Sequence, residues 1–193
     1  MKYIKIEEEG FNLHIIKTNK FKRTTVQINF KNKLVKEDIV KRRVLTNILA
    51  RSNSVYKTLR LLNIKMEELY NLQIYSNVFN SGKSTITSIT ASFLNDKYAP
   101  GNSKKSLKFI SDIMFKPQVI NGEFDKKAFK NACDILKEDI ALRDENPNAY
   151  ALDRLYKLMS PDTEISYPSY GTIKDIKTLK NNDLYKYYLK MLN

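Results

Sequence analysis

A single histidine, His14, and a single cysteine, Cys133, set the first limit on the chemistry of this 193-residue chain. They exclude a zinc finger, a disulfide framework and any metal site that needs two imidazole or two thiolate ligands from this chain alone. A Cys–His catalytic pair would need both residues in one place. Cys133 lies on the apolar stripe of a predicted helix, which favours a buried inert thiol, whereas His14 lies on the polar side of a distant predicted strand.

The sequence Gly82-Lys83-Ser84-Thr85 invites comparison with a phosphate-binding loop. That loop requires a second glycine five residues before Gly82 and a helix directly after it. Asn77 occupies the first position, and the residues that follow Gly82 have the composition of a strand. A hairpin turn is the better interpretation.

Acidic residues cluster on the longest predicted helix, where Asp134, Glu138 and Asp139 lie within two turns. Paired carboxylates can perform acid–base chemistry, but such groups also form ordinary solvated helical faces. The neighbouring Lys130 and Lys137 favour the solvated face.

Two periodicities of apolar residues assign these candidate residues to strands or helices. A period of two residues predicts strands, and apolar residues spaced three or four apart predict helices. The predicted strands are residues 11–17, 23–31, 72–79 and 84–94. The predicted helices are residues 37–50, 58–70, a helix capped by Ser103 that carries Leu107, Ile110 and Met114, then 124–143, 150–159 and 183–192.

Strands and helices are partly segregated along the chain, and the strands at residues 72–79 and 84–94 read as a hairpin. This order predicts an α+β fold in which helices pack on one face of an antiparallel sheet, formed by a single domain over residues 1–193. The mixed-charge N-terminus does not resemble a signal peptide, and no apolar run is long enough to cross a bilayer. We therefore expect a cytoplasmic protein.

The formal net charge of +13 is the excess of 27 Lys and 7 Arg residues over 21 Asp and Glu residues. The Lys residues are spread evenly and accompany many Asn and Ile residues, so we interpret the charge mostly as compositional bias. Tight basic runs occur only at residues 20–23 and 41–43, and the net charge alone leaves binding to nucleic acid as an alternative. The tyrosines near the C-terminus suit helix packing better than base stacking.

Several short strings cover most of the chain, at residues 13–18, 20–22, 54–58, 69–70, 93–98, 115–117, 124, 144–147, 150–151, 170–171, 176 and 184–192. Taken in this order, they resemble the N-terminal half of an insulinase/pitrilysin-type zinc metallopeptidase of the mitochondrial processing peptidase kind. The match is to a non-catalytic bacterial branch associated with modification of elongation factor P. Lys57 and Asn71 depart from the Pro and Gly of that pattern.

The resemblance locates the family's metal motif, H-x-x-E-H, on the helix at residues 43–47. Arg43 and Asn47 stand at the two histidine positions, Thr46 at the general base, and a position near Ala132 at the distant glutamate ligand. None of these side chains can perform the role of the residue it replaces, because arginine is a cation and alanine has no donor atom. The resemblance therefore implies no catalytic residue, no bound metal and no cofactor.

The resemblance also implies a way of binding peptide. In the family, substrate adds as a strand to a sheet edge beside the metal, and that edge corresponds to Gln73, Ile74, Tyr75, Ser76 and Asn77. Strand addition uses main-chain hydrogen bonds, so it does not require the metal. We expect a non-catalytic protein that binds a peptide or stabilises an active homologous peptidase subunit.

Family chains carry a second half of similar size, so we expect this chain to be a half-unit or a piece of a longer protein that associates with itself or with a partner. Two other functions remain open from the sequence. One is a fragment of a zinc metalloendopeptidase whose ligands come from elsewhere, and the other is a basic nucleic-acid-binding domain.

Overall fold

The computed structural model describes residues 1–161 and 163–192. Asp162 and Asn193, which fall inside the predicted domain 1–193, lie outside the described residues. The strands are β1 Lys2–Glu8, β2 Phe11–Lys17, β3 Arg23–Lys33, β4 Gln73–Ser81, β5 Ser84–Leu94, β6 Val119–Ile120 and β7 Glu123–Phe124. The helices are α1 Lys36–Leu49, α2 Leu59–Glu68, α3 Asn102–Phe115, α4 Lys126–Asp144, α5 Pro147–Met159, α6 Ile173–Thr178 and α7 Asn181–Leu192.

The main sheet is antiparallel with the strand order β3-β5-β4. Ile89 of β5 lies between Ile28 of β3 and Ser76 of β4 in the register. A two-residue turn joins β4 to β5, and Gly82 adopts a φ of 56° there, a conformation that glycine accepts without strain. The predicted hairpin is confirmed, and residues 82–85 form a turn and the start of a strand.

Helices cover one face of this sheet, which confirms the predicted α+β fold class. Apolar side chains from every second residue of the strands meet the buried faces of the helices. One part of the core lies between the sheet and α1, α4 and α7, and another lies between the sheet and α2 and α3. The helical stripe predicted for α4 is confirmed in Cys133, Leu136 and Ile140, which are all buried.

Some short elements escaped the sequence patterns. β1 pairs with β2 as a separate hairpin whose side chains are mostly exposed, so burial leaves little periodic signal, and Glu7 and Glu8 further obscure it. The two-residue strands β6 and β7 flank the predicted turn at Asn121 and Gly122. Helix α6 has six residues, which is too short for a helical period to emerge.

The predicted start of α3 is wrong by two residues. Gly101 is the N-cap, and Ser103 lies inside the helix, where its N–H donates to the Asp96 carboxylate at 2.8 Å. Leu107 was assigned to the apolar stripe but is 48% exposed, while Phe109 is buried. The carboxylate that accepts the Ser103 N–H belongs to Asp96, seven positions earlier, and a local capping pattern does not reveal such a distant acceptor.

The basic run at residues 41–43 is not a surface patch. Arg42 is 1% exposed, and it donates from Nε to the Tyr187 hydroxyl at 2.8 Å and from Nη2 to the Lys33 carbonyl at 2.9 Å. This arginine joins the end of β3 to α7 inside the protein. The burial of Arg42 therefore interrupts one of the two tight basic runs.

Gly171 brings the segment before α6 against α1. Its φ is 75°, and a Cβ atom at this position would overlap the Cγ2 methyl of Val40. The residue before it, Tyr170, contacts α1 as a consequence of this close approach. Only glycine satisfies both the positive φ and the lack of space.

We predict that Gly171→Ala lowers the free energy of unfolding by about 2–4 kcal/mol, because the cost of a left-handed residue adds to the cost of overpacking. Gly122→Ala is the matched control, since Gly122 has a similar φ of 77° but nothing within 4 Å of its Cβ position. The control should lose only about 1–2 kcal/mol. Urea unfolding of both variants measures the difference, and equal losses would contradict the steric argument.

Candidate functional site

Three polar side chains of α1 share one helical face. Arg43, Thr46 and Asn47 are spaced i, i+3 and i+4, the spacing that aligns side chains on a helix. They line a pocket of about 200 Å³, which we call the polar pocket. Its other walls come from β4, α4 and the segment before α6, through Ser76, Asn77, Val78, Asp139 and Tyr170.

Arg43 fixes the position of its guanidinium through neutral partners. Nε donates to the Ser169 carbonyl at 2.9 Å, and Nη2 donates to the Val78 carbonyl at 3.1 Å. The guanidinium stacks on the Tyr170 ring at 3.5 Å from its centroid. Burial lowers the pKa of Arg43, while Tyr170 acts in the opposite direction. The group stays a cation, because arginine does not lose its proton in proteins.

The other two motif positions on α1, Thr46 and Asn47, differ in their burial and in their contacts. Thr46 is buried, and its hydroxyl donates to the carbonyl of Arg43 at 2.9 Å, one turn earlier in the same helix. A hydroxyl held in this way has no basicity suited to a general base. Asn47 is partly buried between the polar pocket and a second cleft of about 460 Å³.

The structure does not bring Ala132 to the polar pocket. Ala132 is fully buried in the core beside Cys133 and Leu136. The α4 residue that lines the pocket is Asp139, seven residues later and therefore on the same side of the helix. The seven-residue spacing is the signal from which sequence reasoning could have found Asp139.

The acidic group predicted on α4 divides between different surroundings. Asp134 pairs with Lys137 at 2.7 Å, and this hydrogen bond lowers the pKa of the carboxyl group. Glu138 and Asp134 line the second cleft, whereas Asp139 lines the polar pocket. Across residues 1–161 and 163–192, no three His, Cys, Asp or Glu side chains group closely enough to hold a metal ion.

A larger cleft of about 450 Å³ adjoins the polar pocket at Arg43 and Tyr170, and we call it the aromatic cleft. It runs along the end of β4 to α5. Arg143 and Asp153 form a bidentate ion pair in its wall, at 2.8 and 2.9 Å, which raises the pKa of Arg143. The Arg143 guanidinium also lies 5.2 Å from the centroid of Tyr170. The lining includes Val78, Phe79, Asn80, Leu152, Tyr156 and Ile165.

The outer edge of β4 borders the polar pocket. In a two-residue hairpin the residues that flank the turn form a hydrogen-bonded pair, and such pairs then alternate along the strands. Ile74, Ser76 and Val78 therefore direct their N–H and C=O groups away from β5. The bond from Arg43 to the Val78 carbonyl agrees with this direction. Within the part of the chain that the structure describes, no strand pairs with this edge.

The structure keeps His14 and Cys133 apart. His14 lies on the exposed β1–β2 hairpin, where its Nδ1 is 2.8 Å from the Tyr3 hydroxyl. Cys133 is buried in α4, and burial raises the pKa of its thiol to about 11. A thiol with so little thiolate at neutral pH is a poor nucleophile.

The chain is similar to known proteins in sequence and in fold. No family model matches the sequence. A curated relative from Bacillus subtilis (strain 168), named probable inactive metalloprotease YmfF, is 22% identical over 188 residues, which is 96% of this chain and 44% of that protein. The solved structure of a conserved protein from Enterococcus faecalis V583 is 25% identical with a TM-score of 0.92, covering 98% of this chain and 45% of that chain.

The chain is thus similar in sequence to a protein named as a probable inactive metalloprotease. The peptidase M16 inactive domain from Pseudomonas fluorescens shares its fold, with a TM-score of 0.74 at 16% identity over 97% of this chain and 43% of that one. The expected half-domain architecture is thereby confirmed. The chain spans less than half the length of these relatives.

The helices of residues 1–161 and 163–192 are unlike membrane-spanning helices. In the described ranges, none combines the length and the apolar composition needed to cross a bilayer.

We predict that Cys133 resists a disulfide reagent at pH 8 in the folded protein and reacts rapidly in denaturant, because its raised pKa suppresses the thiolate. Its folded pKa exceeds the ordinary value of 9.0, so the folded state retains this proton more strongly. Its contribution to stability is therefore complete below that ordinary value and is lost as the pH rises towards 11. Absorbance of the released thiolate measures the rate, and fast labelling of the folded protein would contradict the burial.

Proposed function

We propose that this chain is a non-catalytic, insulinase-like domain that holds an extended peptide along the outer edge of β4. The observation that carries the proposal is the position of this edge beside the polar pocket, with Ile74, Ser76 and Val78 directing main-chain groups outward. An added strand gains affinity from main-chain hydrogen bonds and needs no metal. The predicted peptide-binding residues Gln73 to Asn77 form the first part of β4.

The replaced motif residues support a role without catalysis. Arg43 and Thr46 are hydrogen-bonded to main-chain carbonyls of the chain itself, so they act as structural members of the fold. The name of the Bacillus subtilis relative, which calls it inactive, agrees with this reading. A zinc site assembled with ligands from another chain would have to displace the Arg43 cation from the pocket, which disfavours that alternative.

We further propose a protein partner, either an active homologous peptidase subunit or a second copy of the chain. Tyr75 and Phe79 are 55% and 43% exposed on the face of the sheet opposite the helices, and exposed aromatic side chains are frequent in protein interfaces. The half-length match to larger relatives supports pairing with another half. A cytoplasmic location remains a prediction, compatible with the unpaired thiol of Cys133.

Strand addition predicts that Ser76→Pro weakens peptide binding strongly, because proline removes an N–H that points to the outer edge and leaves the bonds to β5 in place. The loss should be about tenfold, the equivalent of one or two hydrogen bonds. Asn29→Pro is the matched control, since the same alternation directs its N–H to the opposite edge of the sheet.

The measurement is fluorescence anisotropy with a labelled peptide of alternating Thr and Val, alongside the same peptide N-methylated on alternate residues. The N-methylated peptide should not bind the native chain, and Asn29→Pro should bind like the native chain. Equal binding by both proline variants would locate the peptide elsewhere.

The absence of catalysis predicts that neither zinc nor a chelator shifts the melting temperature. As a positive control, Arg43→His combined with Asn47→His places two imidazoles at i, i+4 beside Asp139 and should be stabilised by zinc. Differential scanning fluorimetry and metal analysis make the comparison. Stoichiometric zinc bound through residues 43–47 of the native chain would overturn the proposal and favour the zinc-peptidase alternative.

A further inference from the structure

Arg43 is a partly buried arginine that, unlike Arg42 and Arg143, has no carboxylate close to its guanidinium. Arg143 has a carboxylate partner in Asp153, and Arg42 lies 4.0 Å from the Asp38 carboxylate. For Arg43, no carboxylate oxygen of residues 1–161 or 163–192 lies within 4.0 Å, and its hydrogen-bond acceptors are the neutral carbonyls of Ser169 and Val78.

This charge is held in an environment that favours an anion. Moving a cation out of water costs free energy that neutral acceptors repay only in part, so an opposite charge brought to it is attracted strongly. The two carbonyl bonds use two of the five N–H donors of the guanidinium. Other donors remain to bind a carboxylate.

The position of Arg43 connects this charge to the outer edge of β4. Its Nη2 reaches the Val78 carbonyl, and its side chain lines both the polar pocket and the aromatic cleft. A strand that pairs with Ile74 and Ser76 and continues towards Val78 therefore meets the guanidinium. A side chain or a chain end at that point would enter one of the two cavities.

The charges around the two cavities select the aromatic cleft. Asp139 lines the polar pocket and would repel an incoming carboxylate. Among the described lining residues of the aromatic cleft, the charged groups are Arg43, Arg143 and Asp153, which leave one net positive charge. The Arg143–Asp153 pair is internally neutralised, so Arg43 is the group that a ligand would neutralise.

We propose that Arg43 is the carboxylate-binding residue for the peptide held along β4, and that it receives an Asp or Glu side chain or a C-terminal carboxylate in the aromatic cleft. This inference rests on the proposed strand addition, and it names the class of peptide. The residue at the family's first ligand position thus recognises an acidic group. The basic chain, with its formal charge of +13, would also favour the approach of such a peptide.

The test compares labelled peptides of alternating Thr and Val that differ in one group. The reference carries Gln and an amidated C-terminus. The second series carries a single Glu scanned through the internal positions, and the third is the reference with a free C-terminal carboxylate. At least one Glu position, or the free carboxylate, should bind the native chain about tenfold more tightly than the reference, as a charge-assisted hydrogen bond provides. The series that gains affinity identifies the source of the carboxylate.

Arg43→Gln should abolish this preference while the reference peptide still binds, because the edge of β4 does not depend on the charge. Arg60→Gln is the matched control, since Arg60 is exposed on α2 and the change in net charge is the same. Should Arg43→Gln fail to fold, the side-chain ¹⁵N signals of arginine in the native chain supply the second measurement. The tight-binding peptide should shift the Arg43 Nε signal and leave that of Arg60 unchanged.

The outcomes separate the two proposals. If all peptides bind the native chain with one affinity, strand addition stands and the carboxylate site is overturned. If Arg43→Gln keeps the preference, or the Arg43 signal does not move, the carboxylate binds elsewhere and the site is again overturned. If not even the reference peptide binds, both proposals fail.

Discussion

The burial of α1 is the constraint on which the rest of the structure depends. Val44 and Leu45 are fully buried and Ile48 nearly so, in a core formed with the sheet and with α4 and α7. A helix enclosed on most sides must also enclose the polar side chains between its apolar positions, and each of these then needs a partner. Arg42 and Arg43 find theirs on different elements, so the packing of one helix determines contacts throughout the domain.

This constraint explains how α1 is held in place although the residues of the family's metal motif are replaced. The resemblance places the positions of the family's metal ligands on α1 and α4, and the residues found there cannot hold a metal ion. Here Arg43 joins α1 to β4 and to the segment before α6 through two carbonyl bonds and the ring of Tyr170. The cation contributes to cohesion, but no carboxylate of the described residues lies within 4.0 Å of it, and this combination makes the position suitable for a ligand.

The elements with a strict period could be predicted from the sequence. β5 and α4 each bury one regular face, so their apolar residues recur at the spacing that the backbone imposes. The β1–β2 hairpin buries almost nothing and α6 is very short, so neither leaves such a record. For the site, the motif spacing correctly placed Arg43, Thr46 and Asn47 on one face of a helix. The fourth position, near Ala132, lies two turns before Asp139 on the same side of α4, where the core encloses it, so it does not line the pocket.

The sequence by itself determined what this chain lacks for chemistry, since a single histidine and a buried cysteine exclude most metal and nucleophilic sites without any structure. It also determined the fold class, because local periods are encoded locally. Only the tertiary structure decided that Arg42 is internal, that Asp139 lines the pocket and that Val78 meets Arg43 at the sheet edge. Each of these facts depends on the distance between residues far apart in the chain, and packing sets that distance.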